Sequence, residues 1–149
     1  GMDGRLSKTC LKKGGRHFED VVECSSAEVA NFIHYVADKG WLDRVTIVVT
    51  GDHLVMSNLV SDRLSQVQNH YIYNLWISDR ALEKSRDDIV HFDLYPSILK
   101  ALGFNWDDDK LGLGYSALGV KKSELDVKSR LAQLKKIILS NSKAYKKLW

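Results

Sequence analysis

The chain has 149 residues, is 44% hydrophobic and 28% charged, and carries a formal net charge of +3. That is enough for one domain with a core of its own, in the composition of an ordinary globular protein. The excess of Lys and Arg is mild and divided between the front (Lys8, Lys12, Lys13, Arg16) and the back (Lys121 to Lys147), which excludes a reading as a nucleic-acid binder. No apolar run approaches the roughly 20 residues of a membrane span, so the chain reads as soluble.

In chain order, Gly1-Met2 reads as the remnant of a cleaved tag, and Asp3-Gly4-Arg5 begins with neither a helix cap nor a strand pattern, as in a piece of a longer protein. No signal peptide is visible. Residues 1 to 24 read as loop with one short extended piece. Cys10 and Cys24 bracket a polar, glycine-containing segment. They are either a disulfide staple worth about 3 kcal/mol for a loop of about 15 residues or two unrelated thiols. Their spacing is wrong for a zinc pair.

Ser25-x-x-Glu28 has the form of a capping box and opens a predicted helix with Val29, Phe32, Ile33 and Val36 on one face, closed by Lys39-Gly40. The nearly continuous apolar run 45 to 50 predicts a strand buried on both faces of an α/β sheet. Residues 54 to 68 read as polar loop with one helical turn. HYIYNLWI, residues 70 to 77, reads as a second strand, and 78 to 88 as an exposed connection. DLYPSILKAL, residues 93 to 102, predicts a short helix with Asp93 as N-cap, Pro96 in the first turn and Gly103 as the stop. An acidic turn (Asn105 to Lys110) and the glycine-rich LGLGYSALG follow. A long amphipathic helix is predicted over about 122 to 148, with Val127, Leu131, Leu134, Ile138, Tyr145 and Leu148 as its stripe and Ser140-Asn141-Ser142 as an interruption. The order implies an α/β protein. Two strands make no stable sheet, so further strands lie in 5 to 22 and 111 to 120 or outside the chain.

Gly51-Asp52-His53 ends the first strand, where ligands of open α/β sheets bind. A hard carboxylate oxygen beside an imidazole nitrogen suits a divalent metal such as Mn²⁺ or Zn²⁺. The alternative is local: Asp52 capping a turn and His53 solvated. LGLGYSALG invites a phosphate-cradling role, but its spacing fits no phosphate-loop pattern, and Gly112 and Gly114 read better as turn residues. His17, His34, His70 and His91 read as structural or solvated, with His91 the one placed to face a site. Ser57, Ser97 and Ser116 lack the surroundings of a nucleophile elbow.

Several of these stretches together resemble one family. TIVVTGDHLVMSN is similar to the strand and metal-binding Asp-His of the alkaline phosphatase and sulfatase superfamily, closest to its phosphoglycerol transferases of the periplasmic-glucan and lipoteichoic acid synthase type. HFDLYPSILKALGF resembles a later helix of that family, and LGLGYSALG its closing glycine-rich segment. DGRLSKTC and FEDVVECSS resemble the segment that follows a His-rich substrate loop in the glucan-modifying enzymes. The likeness runs from about residue 3 to 120, which makes 3–120 the C-terminal part of a sulfatase-like catalytic domain and 121–149 a helical extension.

The resemblance implies that Asp52 and His53 are two ligands of a catalytic metal, Mn²⁺ first and Zn²⁺ or Mg²⁺ next. It implies that the nucleophile and the remaining ligands lie upstream, outside this chain, and that the fragment alone is inactive. The reaction implied moves phosphoglycerol from a phosphatidylglycerol-type lipid to a glycan or glycolipid hydroxyl, in a membrane-anchored parent with this domain in the periplasm. That oxidising setting favours a Cys10–Cys24 disulfide. A sulfatase or phosphoethanolamine transferase of the same superfamily, or a non-catalytic glycan- or partner-binding domain on this fold, are the alternatives. An open sheet edge would also suit a homodimer of the fragment.

Overall fold

A computed structural model describes residues 7–10, 17–54, 61–68, 70–119, 127–140, 142–143 and 145–147. Its described residues form four α-helices and two small antiparallel sheets, a mixed α/β arrangement. They divide into two compact units, Gly1–Arg80 and Ala81–Trp149.

The first unit opens with helix α1, Phe18–Asp38. It begins seven residues before the predicted start at Ser25. The Asp20 carboxylate accepts the His17 N–H at 2.8 Å and satisfies an orphan donor of the first turn, while Glu19 and Asp20 suit the helix dipole there. Ser25 and Glu28 therefore lie inside the helix, where Glu28 accepts hydrogen bonds from Ser7 (2.6 Å) and Thr9 (3.1 Å). The disulfide Cys10–Cys24 joins this leading turn to the helix.

The end of α1 is as expected. Gly40 takes φ +66°, its N–H bonds the Ala37 carbonyl and the Trp41 N–H bonds the Val36 carbonyl. These are the two bonds of a Schellman cap, which needs a residue at ease in the left-handed region. Trp41 then packs edge-on against Tyr35, centroids 6.0 Å apart.

Strand β1, Ile47–Thr50, pairs antiparallel with β2, Asn74–Ile77, in the register Ile47↔Ile77 to Thr50↔Asn74. The expectation of a strand buried on both faces is corrected here: Ile47, Val48 and Val49 are half-buried and Thr50 is exposed. Among the described residues of this unit, two strands, α1 and a single-turn helix at 61–64 are too few layers to cover both faces. Among the described apolar residues of this unit only Cys24 and Val36 are buried, and Phe32, on the predicted inner face of α1, is 58% exposed. The predicted helical turn is α2, Ser61–Leu64, tied to α1 by an Arg63–Glu19 ion pair at 2.5 Å. Residues 55 to 60, with Ser57, lie outside the described residues.

In the second unit a 3₁₀ turn, His91–Asp93, runs into helix α3, Leu94–Ala101. Gly103 (φ +93°) and Phe104 close α3 with the same pair of cap bonds, to Lys100 and Leu99. The glycine-rich stretch supplies the hairpin β3 (Lys110–Leu111) and β4 (Gly114–Tyr115). These strands, predicted within 111 to 120, pair with each other and form a sheet separate from β1–β2. Helix α4, Val127–Ile138, is shorter than predicted. A single 3₁₀ turn, Tyr145–Lys147, follows beyond the serines. The predicted ends of that helix, 122 to 126 and 148, lie outside the described residues.

Gly114 has a packing reason to be glycine. A Cβ there would fall well inside contact distance of the Phe92 carbonyl oxygen and 3.1 Å from Pro96 Cγ. Gly114→Ala must push backbone from backbone, and is expected to cost about 1–3 kcal/mol or more. A fall in the urea midpoint with an unchanged slope would register it.

Candidate functional site

The end of β1 is built by close approach. The Gly51 N–H bonds the Tyr73 carbonyl at 3.0 Å, extending the β1–β2 ladder by one rung. A side chain at Gly51 would meet Ile72 Cγ2 at 2.5 Å. The chain then turns, and Asp52 and His53 stand out from the strand end together. Both are exposed, Asp52 with 88% and His53 with 59% of its side chain accessible.

Their geometry is ordered by local bonds. Asp52 Oδ1 accepts the His53 N–H at 2.9 Å. His53 Nδ1 lies 2.7 Å from the Leu54 carbonyl. A proton on Nδ1 satisfies that carbonyl and leaves the Nε2 lone pair free, the arrangement in which a backbone oxygen fixes a metal-binding tautomer. Nε2 and Asp52 Oδ2 are 3.4 Å apart. Two donors on one tetrahedral ion, with bonds of about 2.1 Å, stand at about that separation. In donor type and spacing the pair would suit a divalent metal, to which it could offer two ligand atoms. Among the described residues the one group of three close ligand atoms is Cys10, Cys24 and Glu28. Its two sulfurs are bonded to each other, so it holds no ion.

The other candidates have structural employment. Ser97 Oγ donates to the Asp93 carbonyl (2.6 Å) and accepts the Ala117 N–H (2.8 Å). Ser116 Oγ donates to the Leu118 carbonyl (2.8 Å) and accepts the Leu118 N–H (3.1 Å). Neither buried hydroxyl is free to attack a substrate. His70 Nε2 lies 2.8 Å from the Leu64 carbonyl, and His17, His34 and His91 are exposed.

The second half of the glycine-rich stretch has no N–H groups to offer a phosphate. The N–H groups of residues 115 to 119 go in turn to Asp93 Oδ1, the Asp109 carbonyl, Ser97 Oγ, Ser116 Oγ and the Glu83 carbonyl. None points outward for an anion. Gly112, at φ +61°, serves the β3–β4 turn as expected.

Asp93 is the residue whose role sequence reasoning missed. Its side chain makes no cap bond to α3. It is fully buried, and holds Arg130 of α4 in a bidentate pair, through Nη1 at 2.8 Å and through Nη2. Arg86 Nη2 reaches it at 2.8 Å, and it accepts the N–H groups of Val90 (3.0 Å) and Tyr115 (2.9 Å). Burial alone would raise its pKa. The bonds from Arg130, Tyr115 and Val90 and the charge of Arg86 outweigh burial and hold the carboxyl below the usual carboxylate range. Burial pulls the Arg86 guanidinium down from its usual value, against the attraction of Asp93. Arg86 also donates to the carbonyls of Asp88, Tyr115 and Ser116, and the Arg130 guanidinium stacks 4.8 Å from the Tyr115 ring. This cluster binds the second unit together. An acid seven residues after an arginine carries no periodic signal, so no pattern in the sequence marks it.

The chain is similar along most of its length to proteins named phosphoglycerol transferase I. The protein of that name from Citrobacter koseri is 30% identical over 139 residues, 86% of this chain and 17% of its own length. Those from Salmonella newport and Escherichia fergusonii are each 29% identical, over 92% and 83% of this chain. The chain spans less than a fifth of the length of these curated relatives (17% to 19%). No family model and no solved structure matches it.

Proposed function

We infer that this chain, a sequence relative of phosphoglycerol transferase I over most of its length, is part of such a transferase and carries half of its metal site. The observation that supports this reading most is the pairing of Asp52 Oδ2 and His53 Nε2 at 3.4 Å on the end of β1, in a chain whose relatives bear that name.

In this reading Asp52 supplies a hard oxygen and His53 its Nε2, with the Leu54 carbonyl holding the ring in register. Gly51 lets the strand end lie close to Ile72 and so sets the pair at a rigid edge. Asp52 and His53 would together hold a divalent metal, Mn²⁺ before Zn²⁺ or Mg²⁺, whose chemistry there would be Lewis acidity toward a phosphoryl oxygen and a lowered pKa for a nucleophile. The donor is a phosphatidylglycerol-type lipid and the acceptor a glycan or glycolipid hydroxyl. By the resemblance the nucleophile lies upstream, in the rest of the parent, and the described Ser97 and Ser116 are committed to structural bonds. The fragment is therefore inactive alone. A disulfide on α1 suits an extracytoplasmic setting, the periplasm, where such bonds persist. No helix among the described residues is long and apolar enough to cross a membrane.

Mn²⁺ titration calorimetry tests this. The parent protein is expected to bind Mn²⁺, and His53→Ala to weaken that binding by about 100-fold or more, since even outer-sphere partners of a metal ligand are worth 10–100-fold. The 149-residue chain, with two ligands, is expected to bind weakly and to lose that binding in the same variant. An unchanged Mn²⁺ affinity in the parent His53→Ala would sink the assignment.

A further inference from the structure

We propose that the outward face of α4, with the lysine-rich segment after it, is a docking surface for an anionic lipid bilayer. Charge is the first observation. Residues 121–149 hold nine Lys and Arg against two acids, a net +7, in a chain whose total is +3, so residues 1–120 carry −4. The front, residues 1–17, carries a smaller excess of +4, and residues 18–120 carry −8, so the last 29 residues hold the larger of the two basic segments.

The second observation is which side of α4 faces out. Arg130 (6% exposed) and Leu134 (6%) point inward, and the Asp93 pair fixes that rotation. The predicted apolar stripe is thereby split. Leu131 is 47% exposed, Ile138 57%, and Leu139, just past the helix, 75%. At about 100° per residue, Ile138, Leu131, Lys135 and Leu139 fall within an arc of about 100°. Lys136, Lys143, Lys146 and Lys147 are exposed beside or beyond it. Tyr145 and Trp149 belong to the same segment of sequence.

Exposed aliphatic side chains interleaved with lysines, on a helix too short and too charged to span, are what an interfacial helix needs. Its aliphatic groups enter the headgroup boundary and its ammonium groups meet the anionic surface. A nucleic-acid site would use the lysines and leave the aliphatics in water. A protein interface would use the aliphatics, but lysine is depleted at such contacts. The bilayer uses both.

The probe is a vesicle of phosphatidylcholine with about one-third phosphatidylserine, against phosphatidylcholine alone, in a flotation assay on the 149-residue chain. Phosphatidylserine is not a phosphoglycerol donor, so the result is independent of the transferase reading. Binding is expected to the anionic vesicles only, and to fall as salt rises. Each of Lys135→Ala and Lys136→Ala is expected to weaken it about fivefold. Ile138→Ser with Leu139→Ser is expected to weaken it by more than either. These four side chains are exposed, so circular dichroism should show all variants folded. No flotation, equal flotation with neutral vesicles, or full binding by folded variants overturns the proposal. Capture of duplex DNA without flotation would overturn it in favour of a nucleic-acid surface.

Discussion

Replacing Asp93 with alanine is expected to destabilise the second unit by about 3–5 kcal/mol, the cost of removing one partner from a buried charge cluster. The variant would leave two guanidinium groups, Arg130 at 6% and Arg86 at 14% side-chain exposure, facing each other without their shared counter-ion. It would also orphan the N–H groups of Val90 and Tyr115. Arg130→Met is expected to cost less, because Asp93 keeps Arg86 and both peptide donors. Urea denaturation followed by circular dichroism at neutral pH reads both.

The same pair of proteins predicts a pH signature. The Asp93 carboxyl is held below its usual range in the folded state. Its contribution is therefore complete above the unfolded aspartate value of about 3.9 and is lost as pH falls through the lower folded value. Wild type should lose stability below about pH 4. Asp93→Ala should lack that share of the acid limb, so the two stability curves converge on acidification. Parallel curves would show that Asp93 stabilises by packing rather than by charge.

The second large effect concerns Cys10–Cys24. Cα atoms 5.9 Å apart and a sequence separation of 14 describe a bridge across a loop of about 15 residues, for which the chain-entropy model gives about 3 kcal/mol. Here that share matters more than in a well-packed domain. The described part of the first unit buries only two apolar side chains, and one of them is Cys24 itself. Cys10→Ser with Cys24→Ser, or reduction by dithiothreitol, is expected to lower the stability of the first unit by about 3 kcal/mol and to release the Ser7 and Thr9 bonds to Glu28. The second unit holds neither cysteine. A probe in each unit, such as Trp41 and Trp106 fluorescence, should show the loss in the first alone.

What could be read from the sequence was what lies within one turn of the chain. The caps at Gly40 and Gly103 depend on residues no more than five apart, and the strand ends and the start of α3 are marked by Gly51 and Pro96. The start of α1 was misread because two acid-based signals compete there. Ser25-x-x-Glu28 has the form of a cap, but Asp20 performs the capping and Glu28 turns to Ser7 and Thr9. Burial was misread for β1, α1 and α4, since period tells which residues share a face and not what lies against it. The Asp93 cluster was invisible because Tyr115 and Arg130 arrive from 22 and 37 residues away, and Arg86, seven residues before it, stands at no periodic spacing. Asp52 and His53 stand out in the sequence as residue types, while the 2.7 Å contact of the imidazole with the Leu54 carbonyl needed coordinates.

The stretch from Tyr115 to Gly119 inverts the usual relation between loops and change. Connections ordinarily accept added residues because water satisfies their backbone. Here five consecutive N–H groups are donated inside the protein, and Ser116, Ala117 and Leu118 are buried. One inserted residue would shift every donor past its acceptor. Insertions and chain breaks, in natural variants or in fusions made at the bench, therefore belong elsewhere in this unit, and a loop by shape is here a core by accounting.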